Sequence, residues 1–314
     1  MTNAAIAATG LRKAYGDKIV LDGIDLEVAA GTVFSLLGPN GAGKTTTVNV
    51  LTTLMKADSG TVRVAGHDVA TETRAVRSVI GVTGQFAAVD DLLTGQENLQ
   101  LMADLHHLRA AEGRRVVTAL LERFDLSDAA QKMAATYSGG MRRKLDLAMT
   151  LVTRPQIIFL DEPTTGLDPR SRRTMWDIVR ELVADGVTVF LTTQNLEEAD
   201  QLAGRIAVLD HGRLVAQGTP ADLKRQIPGS HVRLQFAGLG ELEAAALVLP
   251  GSSRDDEDLT LRVPSDGKAK SLRALLDRLD AHSIDVEELS VHMPDLDDVF
   301  FALTTHPSTE AIAP

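Results

Sequence analysis

There is no cysteine among the 314 residues, which excludes disulfides, thiolate metal sites and a cysteine nucleophile. Aromatic residues are scarce at 4%, with one Trp and two Tyr, so the base-stacking platforms of single-strand binders have little to be built from. Basic residues are in deficit, 32 against 43 acidic, a net of −11. A general polyanion binder needs the opposite balance, and no nucleic-acid partner is expected. Long apolar runs are missing too: stretches such as Ile157–Leu160 fall far short of the ~20 residues that cross a bilayer. Met1–Gly10 has no basic stretch ahead of an apolar core, so no export signal is expected. What is present is 44% hydrophobic and 24% charged residues, the composition of a folded chain long enough for two domains.

Strand and helix signals alternate from Ala5 to Arg205. Val33–Leu37, Ile157–Leu160 and Val187–Thr192 are short apolar, β-rich runs, each followed by a helical pattern, which predicts a parallel sheet covered on both faces. Residues 4–9 and 18–28 read as antiparallel strands, and 90–150 as a charged, mostly helical lobe. A helix is expected from about Lys44 to Met55, with Val48, Leu51 and Met55 on one face. The pattern breaks at Gln226–Ser230, dividing the chain into domains 1–226 and 231–314. Beyond the break, three strands (231–236, 259–263, 286–292) and three helices (239–249, 268–280, 296–303) predict a small α+β domain, with the tail after Thr304 frayed.

Three segments carry chemistry. Gly38-Pro39-Asn40-Gly41-Ala42-Gly43-Lys44-Thr45 fits the phosphate-loop pattern G-x-x-x-x-G-K-[ST] between a strand and a helix. Its glycines let backbone N–H groups converge on phosphate oxygens, Lys44 reaches the terminal phosphates, and the helix dipole adds positive potential. Ile157–Leu160 runs into Asp161-Glu162, two carboxylates that point to opposite sides of a strand end, one suited to a metal ion and the other to water. Ser138-Gly139-Gly140 opens a helix whose Leu145, Ala148, Met149 and Val152 share a face; a capped, glycine-bearing helix start is a second anion site. The remaining candidates read plainly. His106-His107 is solvated on a polar helix, Trp176 is core, and Asp255–Asp258 is a solvated loop.

Residues 5–225 as a whole resemble the ATP-binding cassette of ABC transporters. Tyr15 matches the adenine-stacking aromatic, Gly38–Thr46 Walker A, Gln85 the Q-loop, Ser138–Gly140 the signature, Ile157–Glu162 Walker B and Gly166-Leu167-Asp168 the D-loop. Within that family the chain is most similar to the ATPase subunits of daunorubicin-resistance-type drug exporters, a resemblance supported by the small C-terminal domain with Leu296-Asp297-Asp298-Val299-Phe300. The resemblance implies an α/β P-loop NTPase fold with a mixed-sheet core, an antiparallel β subdomain and a helical subdomain, followed by the small domain. It implies ATP and Mg²⁺ as cofactors. Tyr15, Gly38, Pro39, Asn40, Gly41, Ala42, Gly43, Lys44, Thr45, Thr46, Ser138, Gly139 and Gly140 would bind nucleotide; Thr45, Gln85 and Asp161 would hold the metal. Glu162, Lys44 and Gln194 would carry catalysis. Each ATP would sit between Walker A of one protomer and the signature of another, so a homodimer is implied, docked on a membrane-spanning subunit at the cytoplasmic face of the cell membrane. Its expected work is efflux of a small hydrophobic compound. The alternatives are a soluble ATPase acting on ribosome or DNA, and an exporter of lipid or polysaccharide. Three departures stand out: Tyr137 for the usual Leu, Met141 for Gln, and Gln194 at the position of the switch histidine. An amide can accept and donate hydrogen bonds there but cannot titrate.

Overall fold

The computed structural model describes residues 4–85, 87–226, 230–266, 268–292 and 294–305. These divide into two compact units, 1–220 and 221–314. In chain order the first unit opens with β1 (Ala4–Tyr15), β2 (Lys18–Ala29), β3 (Val33–Leu37), α1 (Lys44–Leu51), β4 (Ser59–Val64) and β5 (His67–Asp68). Next come α2 (Thr73–Val79), β6 (Ile80–Thr83), α3 (Gly95–Leu105), α4 (Ala110–Arg123) and α5 (Gly139–Thr150). It closes with β7 (Ile157–Asp161), α6 (Pro169–Ala184), β8 (Thr188–Thr193), α7 (Leu196–Leu202), β9 (Arg205–Asp210) and β10 (Arg213–Gly218). Helix α8 (Pro220–Gln226) starts at the division between the units.

The central sheet has the order β10-β9-β3-β8-β7-β6, parallel except for the edge strand β10. Strands β3, β7 and β8 are buried at every position, so both pleat faces must be apolar, which is why they read as unbroken hydrophobic runs. Phe34, Phe190 and Phe159 form a ladder across them, with neighbouring centroids 5.5 Å apart. One face packs against the antiparallel sheet β2-β1-β4-β5 through Ile6, Leu11, Leu21 and Val64. The other packs against α3–α6, where Leu99, Val117, Leu121 and Trp176 join Ile158 and Leu191.

The structure differs from the sequence expectations in several places. Helix α1 ends at Leu51 and not at Met55, because Thr52 Oγ1 bonds back to Val48 O (2.8 Å) and Thr53 turns left-handed at φ 64°. Strand β1 runs on to Tyr15, paired with β2 through several register shifts. His107 lies past the end of α3 in a left-handed turn, and both His106 and His107 are exposed. The expected break at Ile227-Pro228-Gly229 lies outside the described residues, as does the tail expected to fray after Thr304 except for Thr305, which is helical.

The second unit contains β11 (His231–Gln235), α9 (Leu239–Val248), β12 (Ser253–Asp255), β13 (Thr260–Pro264), α10 (Ala269–Asp280), β14 (Glu288–His292) and α11 (Leu296–Thr305). Its sheet, β12-β13-β11-β14, is antiparallel and has four strands where three were expected. The extra edge strand is β12, which pairs Asp255 with Thr260. Its polar run carries no apolar period, and ladder bonding alone makes it a strand. Val232, Leu234, Leu261, Leu242, Leu275 and Leu279 form its core. Leu296 and Val299 of α11 are buried and Phe300 half-buried.

Candidate functional site

Parallel register brings the chemistry to one end of the sheet. Leu37 pairs with Thr193, Asp161 with Thr192, and Thr83 with Leu160, so the chain leaves β3, β6, β7 and β8 at the same level. The glycine loop follows β3, Gln85 follows β6, Glu162 follows β7 and Gln194 follows β8. Ligands of open parallel sheets bind at such strand ends.

The glycine loop is held tightly from below. A Cβ on Gly38 would stand 2.3 Å from Leu209 O, and one on Gly43, at φ 112°, would stand 2.7 Å from the Leu21 side chain and 2.9 Å from Val20 O. Only glycine fits either position. Lys44 is buried, its Nζ donating to Gly38 O (2.8 Å) and Pro39 O (3.1 Å) and pairing with Glu162 Oε1 at 3.6 Å. Burial pushes the Lys44 ammonium below the ordinary lysine range, against the opposing pull of the Glu162 and Asp161 carboxylates.

Asp161 accepts from Thr45 Oγ1 at 3.1 Å and through its other oxygen from the Thr192 hydroxyl. Glu162 turns left-handed at φ 47°, a conformation that costs a non-glycine residue about 1–2 kcal/mol. Its N–H donates to Thr192 O (3.0 Å), and Thr165 Oγ1 donates to its Oε2 (3.3 Å). Lys44, Thr45, Asp161 and Glu162 line a cleft of about 290 Å³ together with Tyr15, Lys18, Val20, Asn40, Gly41, Gly43, Thr46 and Gln85. Tyr15 is about half exposed, and its hydroxyl meets Met55 Sδ at 3.1 Å. A larger cleft, about 850 Å³, lies at the opposite ends of β7 and β8 and contains none of these residues.

Gly38, Pro39 and Ala42 of the glycine loop are not in the cleft lining, and two further candidate groups stand apart. Ser138, Gly139 and Gly140 do not line the cleft. They open α5, where Ser138 Oγ caps the helix by accepting from Met141 N–H (3.3 Å). Gly140 lies against the D-loop helix α6, so closely that a Cβ would meet Ser171 Oγ at 2.5 Å. Asp168 caps α6 by accepting from the Arg170 and Ser171 N–H groups, each at 3.0 Å. Gln194, the first residue past β8, is exposed and likewise is not in the cleft lining. The buried Tyr137, in place of leucine, donates to Ala129 O at 2.7 Å.

Sequence reasoning passed over three buried charged residues around the site. Arg143 and Asp146 are paired at 3.3 Å inside α5; opposite charges at that spacing read as a surface pair. Glu198 of α7 accepts from Thr164 Oγ1 (2.8 Å) and Trp176 Nε1 (3.3 Å), and burial raises its carboxyl above the usual range. Trp176 is thus core, and also a donor.

Residues 21–165 match the family described as ABC transporter. Over 306 residues the chain is 50% identical to the daunorubicin resistance ATP-binding protein DrrA3 of Streptomyces coeruleorubidus, covering 97% of each chain. The chain belongs to the ABC transporter ATP-binding family. It is an ATPase of the exporter type, with hydrolysis coupled to transport. It is also 33% identical over 304 residues to the linearmycin resistance ATP-binding protein LnrL of Bacillus subtilis, covering 95% of this chain and 98% of that one. Among solved structures it is similar to a dimeric post-hydrolysis state of an ATP-binding cassette bound to ADP and Pi. The TM-score is 0.62 and the identity 25%, over 68% of this chain and 98% of that one. Among the described residues no helix is long and apolar enough to cross a membrane.

Proposed function

We propose that this ABC ATPase works as a homodimer on a separate membrane-spanning subunit at the cytoplasmic face of the cell membrane, and powers efflux of a small hydrophobic drug-like compound. The observation that carries the dimer is the separation of the two anion sites. The cleft holds Lys44, Thr45, Asp161 and Glu162, whereas Ser138–Gly140 start a helix outside it. A nucleotide contacted by both sets then needs the signature of a second copy. The drug-like cargo is inferred from the relatives, which are named for resistance to daunorubicin and linearmycin.

Within the cleft, Tyr15 stacks on the base, the Gly38–Thr46 loop wraps the phosphates, and Lys44 exchanges its carbonyl partners for terminal phosphate oxygens. Thr45 and Asp161, their oxygens 3.1 Å apart, are hard donors that suit Mg²⁺, with the Gln85 amide oxygen as a third. Bound there, the ion neutralises charge on the phosphates. Glu162 accepts the proton of the attacking water on its carboxylate. Gln194, exposed at the end of β8 and outside the cleft lining, would reach the γ-phosphate through its amide only once ATP is bound.

The decisive experiment is co-purification with a candidate membrane-spanning subunit, followed by vesicle transport of anthracycline-like, lipid and polysaccharide candidates. ATP-dependent uptake of the hydrophobic drug into inverted vesicles is expected. Uptake of only lipid or polysaccharide would replace the cargo, and a monomer with ATP bound in the Glu162→Gln variant would refute the dimer.

A further inference from the structure

The Arg143 guanidinium sits one turn into α5 and donates to three carbonyls on two segments, the end of β7 with the turn after it and the loop after β6. Its Nε reaches Pro163 O at 2.9 Å, one terminal nitrogen reaches Gly84 O at 2.8 Å, and the other reaches Asp161 O at 3.3 Å. Asp146 balances the charge at 3.3 Å, and its second oxygen accepts from Ala88 N–H at 2.9 Å. The pair therefore grips the carbonyls on either side of Glu162, and backbone groups on either side of Gln85.

A buried ion pair of this kind adds little to stability, because desolvating both charges offsets most of their attraction. Its geometric effect is specific. Glu162 occupies a left-handed conformation, and such strain persists only where neighbours over-determine it. The peptide entering Glu162 is held at both ends, its N–H by Thr192 O at 3.0 Å and its carbonyl by Arg143. The carbonyl of Pro163, just beyond, is held by the same guanidinium. A planar fork can serve three acceptors at once; an ammonium on a flexible stem cannot hold the same three directions.

We propose that Arg143 is a positioning residue for Glu162: with Asp146 it locks the Glu162 turn and ties it to the loop carrying Gln85, so that displacement of that loop is felt at the attacking water. The proposal rests on Glu162 acting on water. It assigns the coupling to contacts within one chain, at sequence separations of 59 for Gly84 and 18 for Asp161.

The test uses the full-length protein with Arg143→Lys, Glu162→Gln and the combined variant. Steady-state and single-turnover ATPase rates are measured beside calorimetric affinity for a non-hydrolysable ATP analogue. Arg143→Lys should lower kcat at least about tenfold, with KM and analogue affinity within about threefold, as expected when orientation and not binding is lost. In the Glu162→Gln background the same substitution should cause no further loss in single turnover, since no carboxylate remains to be oriented. Full turnover by Arg143→Lys beside an inactive Glu162→Gln overturns the proposal alone. Equal losses in both backgrounds, or parallel losses of analogue affinity and kcat, overturn it in favour of a general structural role. Wild-type turnover by Glu162→Gln overturns the reading of Glu162 on which it rests.

Discussion

Replacing Glu162 by Gln separates binding from chemistry, because it preserves volume and removes only the charge. The wild-type carboxylate stands 3.6 Å from Lys44 Nζ, both side chains being buried. At an effective dielectric of about 20, that attraction is on the order of 5 kcal/mol before desolvation is counted. It competes for the same ammonium that the phosphates need. The amide releases Lys44 and removes a negative charge from the neighbourhood of a polyanion, so ATP affinity should be unchanged or higher. Turnover should fall by roughly 10²–10⁴-fold, the usual yield of a positioned general base, or about 3–5 kcal/mol in the barrier. Either the amide oxygen or the amide nitrogen can replace the contact with Thr165, so the left-handed turn at residue 162 should survive. Calorimetric affinity for ATP and steady-state release of phosphate, measured on the same preparation, decide the matter. Wild-type turnover, or an affinity more than tenfold weaker, would refute the reasoning.

Three further outcomes follow from the same geometry. Lys44→Ala removes a buried ammonium whose charge-assisted bonds are worth about 1.5–3 kcal/mol each, so ATP affinity should drop about 100-fold or more by calorimetry; a change within threefold would count against the phosphate-loop assignment. Gln194 is exposed and cannot titrate, so Gln194→His should introduce an inflection in the ATPase pH profile near the ordinary imidazole value of about 6.5 that the wild type lacks; superimposable profiles would make residue 194 a spectator. Burial raises the Glu198 carboxyl, so the folded state keeps that proton to higher pH than the unfolded chain does. The wild type should then lose stability as pH rises through the window just above the ordinary carboxylate range. Glu198→Gln has no proton to lose, so its denaturation midpoint should gain on the wild type as pH rises above the ordinary carboxylate range; a constant difference would show that Glu198 has the same affinity for its proton folded and unfolded.

Sequence alone determined the parts whose physics is local. A phosphate loop needs glycines at particular steps and a helix start, all within one short segment, so Gly38–Thr45 was legible without coordinates. Strands buried on both faces must be apolar throughout, and β3, β7 and β8 were readable for that reason. The resemblance added the roles proposed for Tyr15, Gln85 and Gln194, which no local pattern carries. Tertiary structure alone decided which distant groups share a hydrogen bond. The Thr45–Asp161 contact spans 116 positions, and its partners meet only because parallel register aligns the ends of β3, β8 and β7. The left-handed turn of Glu162, the retreat of Lys44 onto Gly38 and Pro39, and the burial of Arg143, Asp146 and Glu198 are likewise invisible in the chain. A charged residue in a helix reads as solvated until the fold encloses it, since its burial is tolerable only when partners from other segments arrive to satisfy it.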